Sequence, residues 1–116
     1  MNVVPYFATI YVGFKERNGH LHTIEEAEEI CQKYCDEIGL CVTVTPTKFI
    51  YTKGWEPGCA VGLINYPRFP SNQAEIYDKA EKLAELLLVA FKQFRVTIQC
   101  SDRVEMLSPP PNVDWT

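Results

Sequence analysis

Residues 6–14 alternate between two faces, with Tyr6, Ala8, Ile10, Val12 and Phe14 on one and Phe7, Thr9, Tyr11 and Gly13 on the other. A period of two with one apolar face predicts a half-buried strand, and the first set is its core side. A polar stretch, KERNGHLH, then leads to Thr23 and Glu26, whose spacing allows the hydroxyl and the carboxylate to satisfy backbone amides at a helix start. Ile24, Ala27, Cys31, Tyr34 and Ile38 recur at three- and four-residue intervals and predict that helix, with Gly39 as its left-handed stop.

Past Gly39, Leu40, Val42 and Val44 alternate with Cys41, Thr43 and Thr45, a second strand. Pro46 interrupts the pattern, and Phe49 and Tyr51 fall out of phase with Val42 and Val44. Either a bulge near Pro46 and Thr47 shifts the register or a further short strand begins there. The sequence KGWEPG predicts a hairpin turn leading into an apolar third strand from Cys59 to Tyr66, in which Gly62 permits close backbone approach. Pro67 and Pro70 close that strand, and Ser71 or Asn72 caps a helix over about residues 73–93 with Ile76, Ala80, Leu83, Leu87 and Phe91 as its apolar stripe. Phe94, Val96, Ile98 and Cys100 alternate with polar residues in a last strand that turns at Ser101 and Asp102 into residues 103–107.

The element order is β-α-β-β-α-β, the split βαβ pattern of ferredoxin-like α+β domains, with two helices on one face of an antiparallel sheet. A single domain is expected over residues 1–108, with residues 109–116, PPPNVDWT, as an extended or mobile tail. The uncovered sheet face would carry Phe7, Thr9, Tyr11, Thr43, Thr45, Arg95, Thr97 and Gln99, a half-polar surface suited to solvent, a ligand or a second copy of the chain.

Composition narrows the function. With 116 residues and 47% hydrophobic side chains the chain can build one core unaided by metal or disulfide. A formal net charge of −4 gives no basic field for a phosphate backbone, so nucleic acid is not an expected partner. The start of the chain lacks a basic leader region, and the LAELLLVAF run is short and flanked by charge, so a cytoplasmic protein without membrane contact is expected. Cysteines at 31, 35, 41, 59 and 100 are odd in number and irregular in spacing; reduced thiols are expected, with neither a metal nor a cofactor, because paired CxxC knuckles are missing.

Two loops carry the conspicuous binding chemistry. Trp55 lies between Gly54 and Pro57, and Arg68 between Pro67 and Pro70, both in stiffened turns. Arg68 sits near the start of the second helix, where free amides and a guanidinium fork can hold a phosphate or carboxylate. Asn65, Tyr66, Ser71 and Asn72 are placed to assist it, and Trp55 to stack on a base or an apolar partner. No glycine-rich phosphate loop, GxSxG or HExxH is present, and His20 and His22 fall in a polar loop without a nucleophile, where solvated histidines are the ordinary case.

The segments CVTVTPTKFIYTKG and GLINYPRFPSN resemble those of small uncharacterised proteins encoded by phages and prophages. The resemblance covers the central half of the chain and implies a bacterial host cytoplasm, where such proteins act by inhibiting a host enzyme or sequestering a nucleotide signal. Together these readings predict a non-enzymatic homo-oligomer that captures an anionic small molecule, a nucleotide by preference. The alternative is an interaction module that binds and inhibits a host protein through its open sheet face or the Trp55 hairpin; a small hydrolase using His20 or His22 comes third.

Overall fold

A computed structural model describes residues 1–115. Its elements run β1 (Phe7–Gly13), α1 (Ile24–Ile38), β2 (Thr43–Tyr51), β3 (Gly54–Ile64), α2 (Gln73–Ala90), β4 (Val96–Cys100) and β5 (Val104–Leu107). The five strands form one antiparallel sheet in the order β2-β3-β1-β4-β5. This is the predicted ferredoxin-like arrangement, with β5 added as a hairpin partner at the β4 edge.

The first strand's two faces are as its alternation predicts. Ala8, Ile10 and Val12 are wholly buried and share a core with Cys59, Val61 and Leu63 of β3, Val96 and Ile98 of β4, and Leu83, Leu87 and Phe91 at α2. Thr23 caps α1, its hydroxyl accepting from Glu26 N at 3.2 Å, and Gly39 ends it at φ 71°. Asn72 caps α2 from both sides: Oδ1 accepts from Glu75 N at 2.8 Å and Nδ2 donates to Glu75 Oε1 at 3.1 Å.

The second and third strands differ from expectation. No bulge and no strand break occurs near Pro46: β2 and β3 pair in one continuous register from Thr43 opposite Gly62 to Tyr51 opposite Gly54. Pro46 is tolerated because β2 is an edge strand, where a missing donor can face outward. Phe49 belongs to the same open face as Thr43 and Thr45, and packs at 6.4 Å from Tyr11 and directly over Gly58. The apparent change of phase therefore reflects which face of the hairpin carries its apolar side chains. The turn is also tighter than predicted. Thr52 and Lys53 alone make it, with Lys53 at φ 63°, so Trp55 lies within β3 opposite Ile50 and not at a loop tip.

Pro57 has a consequence at the end of the sheet. Phe14 N donates to Pro57 O at 2.9 Å, and in an antiparallel pair the partner residue would return a bond to Phe14 O. Proline has no N–H to give. His22 N donates to Phe14 O instead, at 2.8 Å, which brings residues 15–22 back against the end of β1 as a small hairpin.

Candidate functional site

The C-terminal end of β3, the start of α2 and the turn after α1 enclose a cleft of about 360 Å³ lined chiefly by Leu40, Leu63, Ile64, Tyr66, Phe69 and Ile76. Cys41, Ser71 and Lys79 supply its polar groups. An apolar cavity of this size with a few polar side chains at its edge is the usual form of a small-molecule site.

The loop that forms its mouth follows from the prolines. Pro67 and Arg68 occupy the centre of a turn closed by Phe69 N donating to Tyr66 O at 2.9 Å. Phe69 is 70% exposed, so its ring hangs over the opening with the Arg68 guanidinium 5.5 Å from its centroid. Buried Asn65 fixes the loop from behind: Nδ2 donates to Val4 O at 2.9 Å, and Oδ1 accepts from Ser71 N at 2.7 Å. A hydrogen bond with Cys41, and then burial, push the Tyr66 phenol above its ordinary range, so it faces the cleft as a neutral hydroxyl at neutral pH.

Of the six residues read from the sequence as ligand-binding, Tyr66 and Ser71 line this cleft and Arg68 stands at its rim beside Phe69. Asn65 and Asn72 lie in the same segment, with their amides engaged by backbone and by Glu75. Trp55 is elsewhere. It is nine residues before Ile64 on β3, about 30 Å at strand rise, with Lys48 stacked 4.6 Å from its ring. The cleft also contains residues that the sequence reading missed, Leu40, Cys41, Phe69 and Lys79. The signal for Phe69 was an apolar ring between two prolines in a turn, a position with no core to enter.

A second cluster joins α2 to the β4-β5 hairpin. Tyr77 OH donates to Asp102 at 2.9 Å and accepts from Ser101 N at 3.1 Å, while Arg103 lies 4.6 Å over its ring and donates to Glu105 at 2.5 Å. A hydrogen bond with Glu105 raises the Glu81 carboxyl above its ordinary value of 4.5, with burial and the neighbouring negative charges adding to the effect. Because the folded state favours the proton, this group stabilises the fold below 4.5 and loses that contribution as the pH rises through the raised value. Glu81→Gln keeps a neutral hydrogen-bonding partner for Glu105, and is expected to stabilise the protein at pH 7 by about 0.5 kcal/mol. The gain should vanish below pH 4, as read from paired thermal melts.

All five cysteines are free; Cys31, Cys59 and Cys100 are buried. Burial pushes the Cys31 thiol up to about 12 and Cys59 up to about 11, so neither supplies a thiolate. His22 is not a solvated loop histidine: its side chain is 9% exposed and held between Glu16 and Glu26. Glu16, His20 and His22 together form the only group among the described residues whose ligand atoms converge as a metal's would. No helix among the described residues is long and apolar enough to cross a membrane.

No known protein family matches the chain, and no curated protein matches it. Among solved structures, a phage SAM lyase in complex with S-methyl-5'-thioadenosine superposes with a TM-score of 0.78 and 17% identity over 90% of both chains. The same kind of enzyme in its apo state gives 0.77 and 18% identity, covering 90% of this chain and 89% of that one. At such identity the likeness is one of fold, and it extends over nearly the whole of both molecules. It corrects the expectation of a non-enzymatic capture protein, and equally that of a host-protein docking module: both of these solved structures are of a lyase.

Proposed function

We propose that this chain is a phage-encoded lyase of S-adenosylmethionine that releases S-methyl-5'-thioadenosine. The observation that carries the reading is the shared fold, with a TM-score of 0.78 over 90% of both chains, against an enzyme holding that nucleoside. The product's name defines the broken bond. Of the three carbon–sulfur bonds at the sulfonium, the methyl and the adenosyl bonds persist in S-methyl-5'-thioadenosine, so cleavage falls on the bond to the aminocarboxypropyl arm. Its electron pair passes to sulfur and cancels the positive charge. A lyase adds no water, so the arm completes its own valence, either by closing its carboxylate oxygen onto the carbon that leaves sulfur or by losing a proton from the adjacent carbon.

Such chemistry needs none of the catalytic motifs that the sequence lacks. An internal displacement needs neither a protein nucleophile nor a hydrolytic base; it needs the substrate folded on itself in a dry site. The cleft behind Tyr66 and Phe69 suits that demand. Its apolar wall of Leu40, Leu63 and Ile76 accommodates a purine, and the two rings offer faces to the base or to the sulfonium. Arg68 at the rim is the group placed to receive the substrate carboxylate. Trp55 has no part in this cleft.

The open sheet face presents Ile64, Val104 and Met106, each more than half exposed, which supports a homo-oligomer. A host cytoplasm supplies the substrate of such an enzyme.

The test is direct. Purified protein incubated with S-adenosylmethionine should convert it to S-methyl-5'-thioadenosine, followed by chromatography with mass detection. Folded protein that leaves S-adenosylmethionine intact overturns the proposal. Phe69→Ala should lower kcat/KM by about 10- to 100-fold, the worth of one aromatic stacking contact, with thermal stability unchanged because the ring is mostly in solvent.

A further inference from the structure

We propose that Glu16, His20 and His22 form a binding site for a divalent transition-metal ion, of the zinc, cobalt or nickel class, that fastens the 15–22 hairpin to the body of the protein. The site is built by backbone pairing. Lys15 bridges Leu21, Glu16 N donates to His20 O at 2.9 Å, and His22 N donates to Phe14 O at 2.8 Å. Phe14, Glu16, His20 and His22 therefore share one face of the hairpin. Gly19 at φ 94° and the Asn18 side chain, accepting from His20 N at 2.8 Å, close the turn. One ligand atom from each of Glu16, His20 and His22 lies within 4.8 Å of the others. For an ion held at about 2.0–2.2 Å by each, the exposed His20 ring must turn inward and the Glu16 carboxylate must draw back from its 2.5 Å contact with His22 Nε2.

The surroundings of His22 point to a cation. Its ring is stacked 4.7 Å from Phe91, and its Nδ1 meets Glu26 at 2.5 Å, while Nε2 meets the buried Glu16 carboxylate at 2.5 Å. A neutral imidazole has one N–H. If it serves Glu26, the Nε2 lone pair points straight at a carboxylate, which repels it. A divalent ion that takes Nε2 and the Glu16 carboxylate as ligands lies between the two groups, and Glu26 then becomes the carboxylate that orients a ligating histidine through its far nitrogen. Two imidazoles and one carboxylate select a borderline transition ion over magnesium or calcium. Of the three, His20 alone is exposed, so the site is reached from its side.

The site stands at the opposite end of β1 from the cleft, about 20 Å along the strand, beside Gly13 instead of Phe7. It is independent of the lyase reading.

The experiment is a titration of the whole, reduced protein with Co²⁺, read by visible absorption, and with Zn²⁺, read by thermal melting. One equivalent of Co²⁺ should bind without the intense near-ultraviolet thiolate-to-cobalt band, and Zn²⁺ should raise the Tm. His20→Ala alters an exposed side chain and should melt like the parent in the absence of metal, yet bind Co²⁺ at least ~10-fold more weakly. Glu26→Gln should weaken binding by about 10-fold without removing a ligand. No cobalt binding, a thiolate band, or binding that His20→Ala leaves unchanged would overturn the proposal.

Discussion

Phe91→Ala is expected to cost about 3–5 kcal/mol, read as a lower urea midpoint at unchanged slope. Phe91 is 1% exposed and is the largest of the fully buried side chains. It closes α2, its N–H donating to Leu87 O at 2.9 Å, and its ring packs edge-on against Phe14 at 5.5 Å while His22 stacks on it. Truncation would open a cavity bounded by three elements that cannot all move in: the end of β1, the end of α2 and the 15–22 hairpin. Set against the 5–15 kcal/mol typical of a domain, the loss leaves a marginal fold. Phe91→Leu should restore most of it. A change below 1 kcal/mol would show that the core at this end re-forms around the gap.

Asn65→Ala is expected to cost about 2 kcal/mol and, if the chain is the lyase proposed above, to raise the KM for S-adenosylmethionine. The side chain joins Val4 O to Ser71 N, so its removal leaves the half-buried Ser71 N without its acceptor and Val4 O with the Tyr6 N bond alone. The turn that carries Arg68 and Phe69 runs from Tyr66 to the cap of α2, and Asn65 is what ties its far end back to the sheet. Asn65→Asp keeps the acceptor for Ser71 N and loses only the bond to Val4 O, so it should fall between alanine and the parent in denaturation and in KM. Equal effects from both variants would mean that the Val4 contact alone shapes the loop.

Most of the scaffold was legible because each element announces itself locally. Thr23 and Gly39 bracket α1, and Asn72 with Glu75 begins α2. What escaped depended on partners distant in sequence. Nothing near Pro46 reveals that β2 lies at a sheet edge, so a tolerated proline read as an interruption. Trp55 read as a turn residue because glycine and proline flank it; the actual turn relies on Lys53 adopting a left-handed conformation, an event composition does not signal. The cleft was partly legible: Tyr66 and Ser71 stood out beside the prolines, whereas Leu40 and Cys41 arrive from the end of α1 through tertiary packing. Glu26 was assigned to helix capping and is bonded to His22, a pairing that exists only once the hairpin folds back.

That folding back rests on a subtraction. Were residue 57 able to donate, β1 and β3 could go on zipping past Gly13 and Gly58, and the chain after Phe14 would be drawn along the sheet instead of folding back against the end of β1. By withholding one hydrogen, Pro57 reserves the Phe14 carbonyl for a single claimant. The protein thereby marks where its sheet must stop, and the same mark decides which histidine arrives beside Glu16.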